Sequence, residues 1–321
     1  MFTRLHLRNF RGFAELELGG LGRVNLIVGR NNSGKTSLLE AIWILCQPGR
    51  FDDLPGLLRP RSPTGHNGYF PWLVRDGAES KCQLLGDCER GPERTVEVFV
   101  HGRSAVPAPP HLPYHSHNLS AGWSGSSDGD RVRCQSVSPL MRGEEDLVRS
   151  FDEAMSKKGG EEAIESLLKQ VDPRVRRIRL RASPKVSPYI EVDLGLSERI
   201  PLIQVGHGLS RLVEIFSELL AKGPQVYLVD EIENGIHFSL LPRIWAGLGA
   251  AARQLGTQVF VATHSHECIL AAHAAFAPES RDELRLIQLF RSGERSSEGV
   301  QGRVLDRELI DAAVRGDVDL R

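Results

Sequence analysis

Residues 29–36 read GRNNSGKT, and no other stretch constrains the fold of the chain as strongly. The octet satisfies every fixed position of G-x-x-x-x-G-K-[ST]. The largely apolar run Val24–Val28 precedes it, and Leu38, Leu39, Ile42 and Leu45 share one face of a helix that begins near Lys35. A buried strand, a glycine-bearing turn and a helix are the parts of a phosphate-binding loop. Gly29 and Gly34 let the backbone curl so that successive N–H groups point inward. The helix start adds positive potential, Lys35 reaches the β- and γ-phosphates, and Thr36 offers a hydroxyl to Mg²⁺. Gly29, Arg30, Asn31, Asn32, Ser33, Gly34, Lys35, Thr36 and Ser37 are therefore the expected nucleotide contacts, with ATP and Mg²⁺ as cofactors.

Two further strand ends complete the pattern. VYLVDEIENGIH is an apolar strand that runs into Asp230 and Glu231. At the carboxyl end of a parallel strand, Asp230 holds Mg²⁺ and Glu231 orients or deprotonates the attacking water. VFVATHSHE is a third apolar strand, and His264 at its end is placed to hydrogen-bond the γ-phosphate. The competing role for this segment is a helix cap, shared with Ser265 or His266. Lys35, Glu231 and His264 are the expected catalytic set. Open α/β sheets build ligand sites where successive strand ends converge.

Alternation predicts strands at Arg4–Phe10 and Ala14–Leu18, and later at Val226–Val229 and Gln258–Ala262. Helices are predicted at Leu209–Leu220, Ser239–Leu255 and onward to Phe276. Strands alternating with helices of this length indicate a mainly parallel sheet covered on both faces. Between residues 49 and 170 the signal weakens. Short strands are predicted at Cys82–Leu85, Thr95–Val100 and Val132–Val137, and a loop over 106–130. Helices Glu144–Met155 and Glu161–Gln170 meet at Gly159 and Gly160.

The motifs together resemble the ABC-type ATPases of the RecF/SMC/OLD group. The resemblance rests on LHLRNFRGF ahead of the phosphate loop, on DEIENGIH and on ATHSHE, and it spans roughly residues 1–45 and 190–275. It implies an α/β ABC ATPase head with N-terminal antiparallel strands. A single head over 1–321 is expected, its core built from 1–48 and 171–321, with 49–170 as a divergent insertion. The family's signature corresponds to VGHGLSR, Val205 to Arg211, where Gly206 stands at the usual serine position. Backbone contacts from Gly206 and Gly208 to ATP held by a second subunit are implied, with Ser210 and Arg211 as polar alternatives. Arg11 corresponds to a basic residue near the nucleotide. The glutamine of the family's Q-loop has no clear counterpart, since Gln47 falls too early.

The closest likeness within the group is to stand-alone OLD-like ATPases of bacterial antiphage systems, because too few residues follow His264 for a TOPRIM nuclease domain. That implies a homodimer or higher homo-oligomer around ATP and a separate effector, nuclease or toxin. One alternative is a RecF-like repair ATPase that binds DNA through Arg174, Arg177, Arg179 and Arg181. Another is a nucleotide-gated scaffold that does not hydrolyse ATP.

Composition narrows the remainder. Lys plus Arg is 40 and Asp plus Glu 41, so bulk charge does not hold this chain on nucleic acid. No apolar run reaches the roughly 18 residues of a membrane span, and the N-terminal stretch lacks a secretion-signal pattern. Five scattered cysteines form no disulfide framework, which points to the cytoplasm. Cys46 and Cys268 lie on apolar helices as core residues. Cys82, Cys88, His111, His115 and His117 match no zinc spacing.

Overall fold

A computed structural model describes residues 1–48, 73–75, 81–101, 120–125, 131–139, 143–183, 186–276, 283–291 and 299–316. The first part of the chain forms β1 (Phe2–Phe10), β2 (Phe13–Gly19), β3 (Val24–Val28), α1 (Lys35–Cys46), β4 (Lys81–Cys88), β5 (Arg94–His101), β6 (Ser120–Gly125) and β7 (Cys134–Val137). Next come α2 (Glu144–Met155), α3 (Gly160–Val171), β8 (Arg177–Ser183), β9 (Val186–Asp193), β10 (Ile200–Pro201), α4 (Leu202–Val205) and α5 (His207–Lys222). The chain ends with β11 (Val226–Asp230), α6 (Leu241–Leu255), β12 (Gln258–Thr263), α7 (His266–Ala275), β13 (Leu284–Arg291), β14 (Val300–Leu305) and α8 (Arg307–Arg315).

The central sheet has six strands in the order β14-β13-β3-β12-β11-β7. β13, β3, β12, β11 and β7 run parallel, and β14 returns antiparallel along the edge. Its three inner motif strands are apolar on both faces because both faces are covered. Tyr227, Val229, Val259 and Val261 pack into one core with α5, α6 and α7. Val226, Leu228, Phe260 and Ala262 pack into a second core around α1. The five-stranded antiparallel sheet β2-β1-β4-β5-β6 closes that second core from the other side. Helix α1 thus lies between two sheets, and every residue from Ser37 to Cys46 is buried rather than only one face.

Described parts of segment 49–170 pair with both sheets. β4 pairs with β1 across seventy-odd residues of sequence, β5 and β6 extend the same sheet, and β7 joins the central sheet beside β11. Helix α2 packs on α5, with Ser150 donating to the buried Glu218. The segment therefore contributes strands to both sheets of the head. Part of the span read as a loop, Ser120–Gly125, is strand β6. His111, His115 and His117 lie outside the described residues, while Cys82 faces the core, where burial pushes its thiol up to about 12. Cys46 and Cys268 are fully buried.

Candidate nucleotide site

Residues 29–34 join β3 to α1 at the carboxyl edge of the central sheet. Gly34 has φ 92°, and a Cβ there would stand 2.9 Å from Cζ of Phe13, so both conformation and space demand glycine. Lys35 Nζ donates to the loop's own carbonyls, to Gly29 at 2.7 Å and to Arg30 at 3.0 Å. Burial lowers its pKa, opposed by the carboxylates of Asp230, Glu231 and Glu233. The Ser33 hydroxyl is buried without a hydrogen-bond partner. An orphaned donor inside a cationic loop fits a phosphate oxygen. Arg30, Asn31 and Asn32 are exposed around it, and Ser37 is buried on the first turn of α1.

Strand pairing brings the other two motifs to this loop, since β12 lies between β3 and β11 in parallel register. Thr36 Oγ1 donates to Asp230 Oδ2 at 2.8 Å. The two oxygens are hard donors suited to Mg²⁺, which is usually held by one or two protein groups plus phosphate and water. Asp230 is 4% exposed, and burial pushes its carboxyl up to about 6 despite the Thr36 hydrogen bond and the Lys35 charge. Glu231 follows with φ 50°, a left-handed conformation costing about 1–2 kcal/mol in a non-glycine residue. Its amide donates to Ala262 O on β12 at 2.9 Å, and its side chain projects toward solvent.

His264 Nδ1 lies 3.6 Å from Glu231 Oε1 and 3.6 Å from Glu233 Oε1. The cap of α7 is Ser265, whose hydroxyl accepts from Cys268 N at 3.1 Å, so His264 is not used as the cap. Glu233 is a site residue that motif reading missed. Its Oε1 accepts from Thr263 Oγ1 at 2.6 Å and from His264 N at 3.3 Å, tying the turn after β11 to the end of β12. The only signal for it in the sequence was a third carboxylate in DEIE.

The signature segment begins α5. Gly206 precedes the helix, and Gly206 and His207 are exposed. A Cβ on Gly208 would meet Gly235 O at 2.8 Å, so glycine there lets the helix start pack on the turn after β11. Ser210 and Arg211, the polar alternatives, turn inward instead. Ser210 is 3% exposed and bonds back to Gly206 O, while Arg211 is 1% exposed. Arg11 is likewise engaged within the fold, with its Nε 2.8 Å from Oε2 of the fully buried Glu40 on α1. Gln47 donates to Val132 O at 2.6 Å, below β7.

The arginines on β8 and just before it meet carboxylates. Arg174 pairs with Asp172 at 2.8 Å, Arg177 with Glu165 at 3.8 Å and Arg181 with Glu191 at 3.3 Å, and Arg179 sits opposite Glu191 in the strand register. Among the described residues, no group of three or more His, Cys, Asp or Glu is arranged to hold a metal by itself, and no helix is long and apolar enough to cross a membrane.

Comparison with known proteins agrees with this geometry. Residues 1–89 match a family described as "AAA ATPase domain", and residues 93–269 match one described as "AAA domain, putative AbiEii toxin, Type IV TA system". The second match covers more than half of the chain. The chain belongs to this AAA family. An "ATP/GTP phosphatase" of Helicobacter pylori (strain ATCC 700392 / 26695) is 20% identical over 327 residues, spanning 84% of this chain and 86% of that protein. A "DNA replication and repair protein RecF" of Cytophaga hutchinsonii is 32% identical over 115 residues, covering 34% of this chain and 30% of that protein. Among solved structures, an Smc head bound to the C-winged helix domain of ScpA superposes with a TM-score of 0.62 at 13% identity, covering 98% of this chain and 99% of that one. This likeness establishes an SMC-head type of fold. The protein is an ATPase of this AAA family, with the fold of an ABC-type head.

Proposed function

We propose that two copies of this head close around Mg²⁺-ATP, hydrolyse it, and by closing and opening set the activity of a separate effector protein. The observation that carries the dimer is the uncapped start of α5, where Gly206 and His207 are open to solvent, with exposed Ile203 (66% exposed) three residues before Gly206 and exposed Phe238 (61% exposed) three residues after Gly235, on which the helix start packs. Free N–H groups at a helix start favour phosphate, and apolar side chains around them favour a protein surface. A second head carrying ATP in its 29–36 loop supplies both.

In this reading Lys35 leaves the Gly29 and Arg30 carbonyls for the phosphates, and Ser33 donates to a phosphate oxygen. Thr36 and Asp230 would hold Mg²⁺, which would supply charge neutralisation at the phosphates. Glu231 takes a proton from water as the water oxygen attacks the γ-phosphorus. The bond from that phosphorus to the bridging oxygen breaks, leaving ADP and phosphate. His264 hydrogen-bonds the γ-phosphate and, beside Glu231 and Glu233, registers its loss.

The effector role draws on the matched family's description, which names a putative AbiEii toxin and a Type IV TA system, and extends the sequence-motif resemblance to OLD-like ATPases into a nuclease or toxin in phage defence. The carboxylate pairing of Arg174, and of Arg177 and Arg181 on β8, does not favour DNA as the direct ligand. The test is solution mass with and without Mg²⁺-ATP, for wild type and Glu231→Gln. An ATP-dependent dimer that persists longer in Glu231→Gln is expected. Full turnover by a protein that stays monomeric would overturn the sandwich. Wild-type phage resistance in a Glu231→Gln strain would instead favour a scaffold that needs no hydrolysis.

A further inference from the structure

Arg211 is buried at the heart of the site yet touches none of the expected nucleotide contacts through its charge. It lies in the second turn of α5, with a side chain 2% exposed. Its Nη1 donates to Ser138 O, just beyond β7, and pairs with Glu214 Oε2 at 3.0 Å. Its Nη2 donates to Asp230 O at 3.1 Å. One planar fork therefore ties the signature helix to the ends of two neighbouring strands.

The Asp230 carbonyl belongs to the peptide that leads into Glu231. The N–H of that same peptide donates to Ala262 O at 2.9 Å. The peptide plane is held from both sides, by Arg211 and by β12, and Glu231 leaves it with φ 50°. A residue in a sparsely populated conformation persists only where its surroundings over-determine it. The Ser138–Pro139 segment is gripped a second time, because Asn234 Nδ2 donates to Pro139 O at 2.8 Å. The turn carrying Glu231, Glu233 and Asn234 is thus braced against α5 through Arg211.

From this we infer that Arg211 is a positioning residue for ATP hydrolysis: it aims Glu231 by clamping the Asp230–Glu231 peptide, and it couples the start of α5 to that aim. The inference rests on Glu231 acting on the water, but needs neither a dimer nor an effector. It also assigns a use to an arginine that the motif would otherwise send toward a neighbour's phosphate.

The test uses Arg211→Lys, which keeps the buried charge but loses the fork, and Arg211→Met/Glu214→Met, which replaces the ion pair by apolar side chains and so leaves no lone buried charge. Nucleotide affinity and steady-state turnover are measured for both, with Glu231→Gln as reference. Both variants are expected to bind ATP within about twofold of wild type while kcat falls about 10- to 100-fold at nearly unchanged KM, since small misplacements of a reacting group carry losses of that order. A purely structural Arg211 would leave kcat intact in whichever variant binds ATP normally, and that result overturns the inference. If Glu231→Gln itself turns over at the wild-type rate, the reading of Glu231 fails instead, and the two failures are told apart.

Discussion

Replacing Arg11 by Met should destabilise the protein sharply without touching the nucleotide. Glu40 is fully buried on α1, and the Arg11 guanidinium Nε stands 2.8 Å from its carboxylate. Removing one partner of a buried ion pair costs about 3–5 kcal/mol, against a typical total stability of about 5–15 kcal/mol. With a urea m-value of about 3 kcal/mol/M, the midpoint should fall by roughly 1–1.7 M. Met keeps the stem length, and the left-handed backbone of Arg11 (φ 51°) is equally strained in either residue, so the change removes the guanidinium together with the contacts it holds. Arg11→Met/Glu40→Met should then return to within about 1 kcal/mol of wild type, because apolar replacement of a buried ion pair is often neutral. Urea titration followed by far-ultraviolet dichroism reads all three proteins, and ATP titration of the double variant reads the site. A single variant as stable as wild type, or a double variant as weak as the single, refutes the buried-pair argument. A folded double variant that has lost ATP affinity would restore Arg11 to the nucleotide, as the family resemblance implies.

Asp230 makes stability depend on pH in metal-free buffer. Its carboxyl has an ordinary value of 3.8 and burial pushes it up to about 6. The folded state therefore holds the proton more tightly, so this group's contribution is present below about pH 4 and is lost as pH rises through about 6. The gap of about two pH units corresponds to about 3 kcal/mol. In chelator, Asp230→Asn should be more stable than wild type by up to that amount at pH 7.5 and nearly equal to it at pH 4; a difference that ignores pH refutes the account. Gly34→Ala combines a left-handed φ of 92° with a 2.9 Å approach to Phe13, and should weaken ATP binding at least about tenfold by calorimetry. Glu233→Ala removes the acceptor of Thr263 Oγ1 and His264 N, and steady-state assays should show kcat down about tenfold with ATP affinity retained. Loss of binding instead would mean that Glu233 shapes the phosphate pocket itself.

The parts of the site that could be read directly were those whose chemistry is local. The turn at Gly34, the hydroxyl of Thr36 and the carboxylates closing β11 follow one another along short segments whose strand and helix signals are strong. Their convergence was also legible, because a parallel sheet has only one edge where strand ends meet helix starts. Glu233 was not, since one carboxylate among several in DEIE carries no mark of the hydroxyl it will find on Thr263. Nor was the direction of Arg211, a polar alternative for a neighbour's phosphate in the sequence, which in the structure turns inward to Glu214 and the Asp230 carbonyl. Its motif position described the helix start, whereas its direction depended on which side of α5 faces β11.

What the amino-acid sequence determined by itself is the phosphate loop, the two partner strand ends and the alternation that makes a covered parallel sheet. These are set by backbone sterics, side-chain chemistry and hydrophobic period over a few residues at a time. Only the tertiary structure decided that β4 and β5 extend the N-terminal sheet, that β7 lies beside β11, and that Arg11 and Arg211 spend their charges inside the fold. Strand partners and buried ion pairs join residues far apart in the chain, and in strands the pairing is chosen by which faces bury together. A single segment holds no record of its partner, so the same arginine reads as a ligand contact until its neighbours arrive.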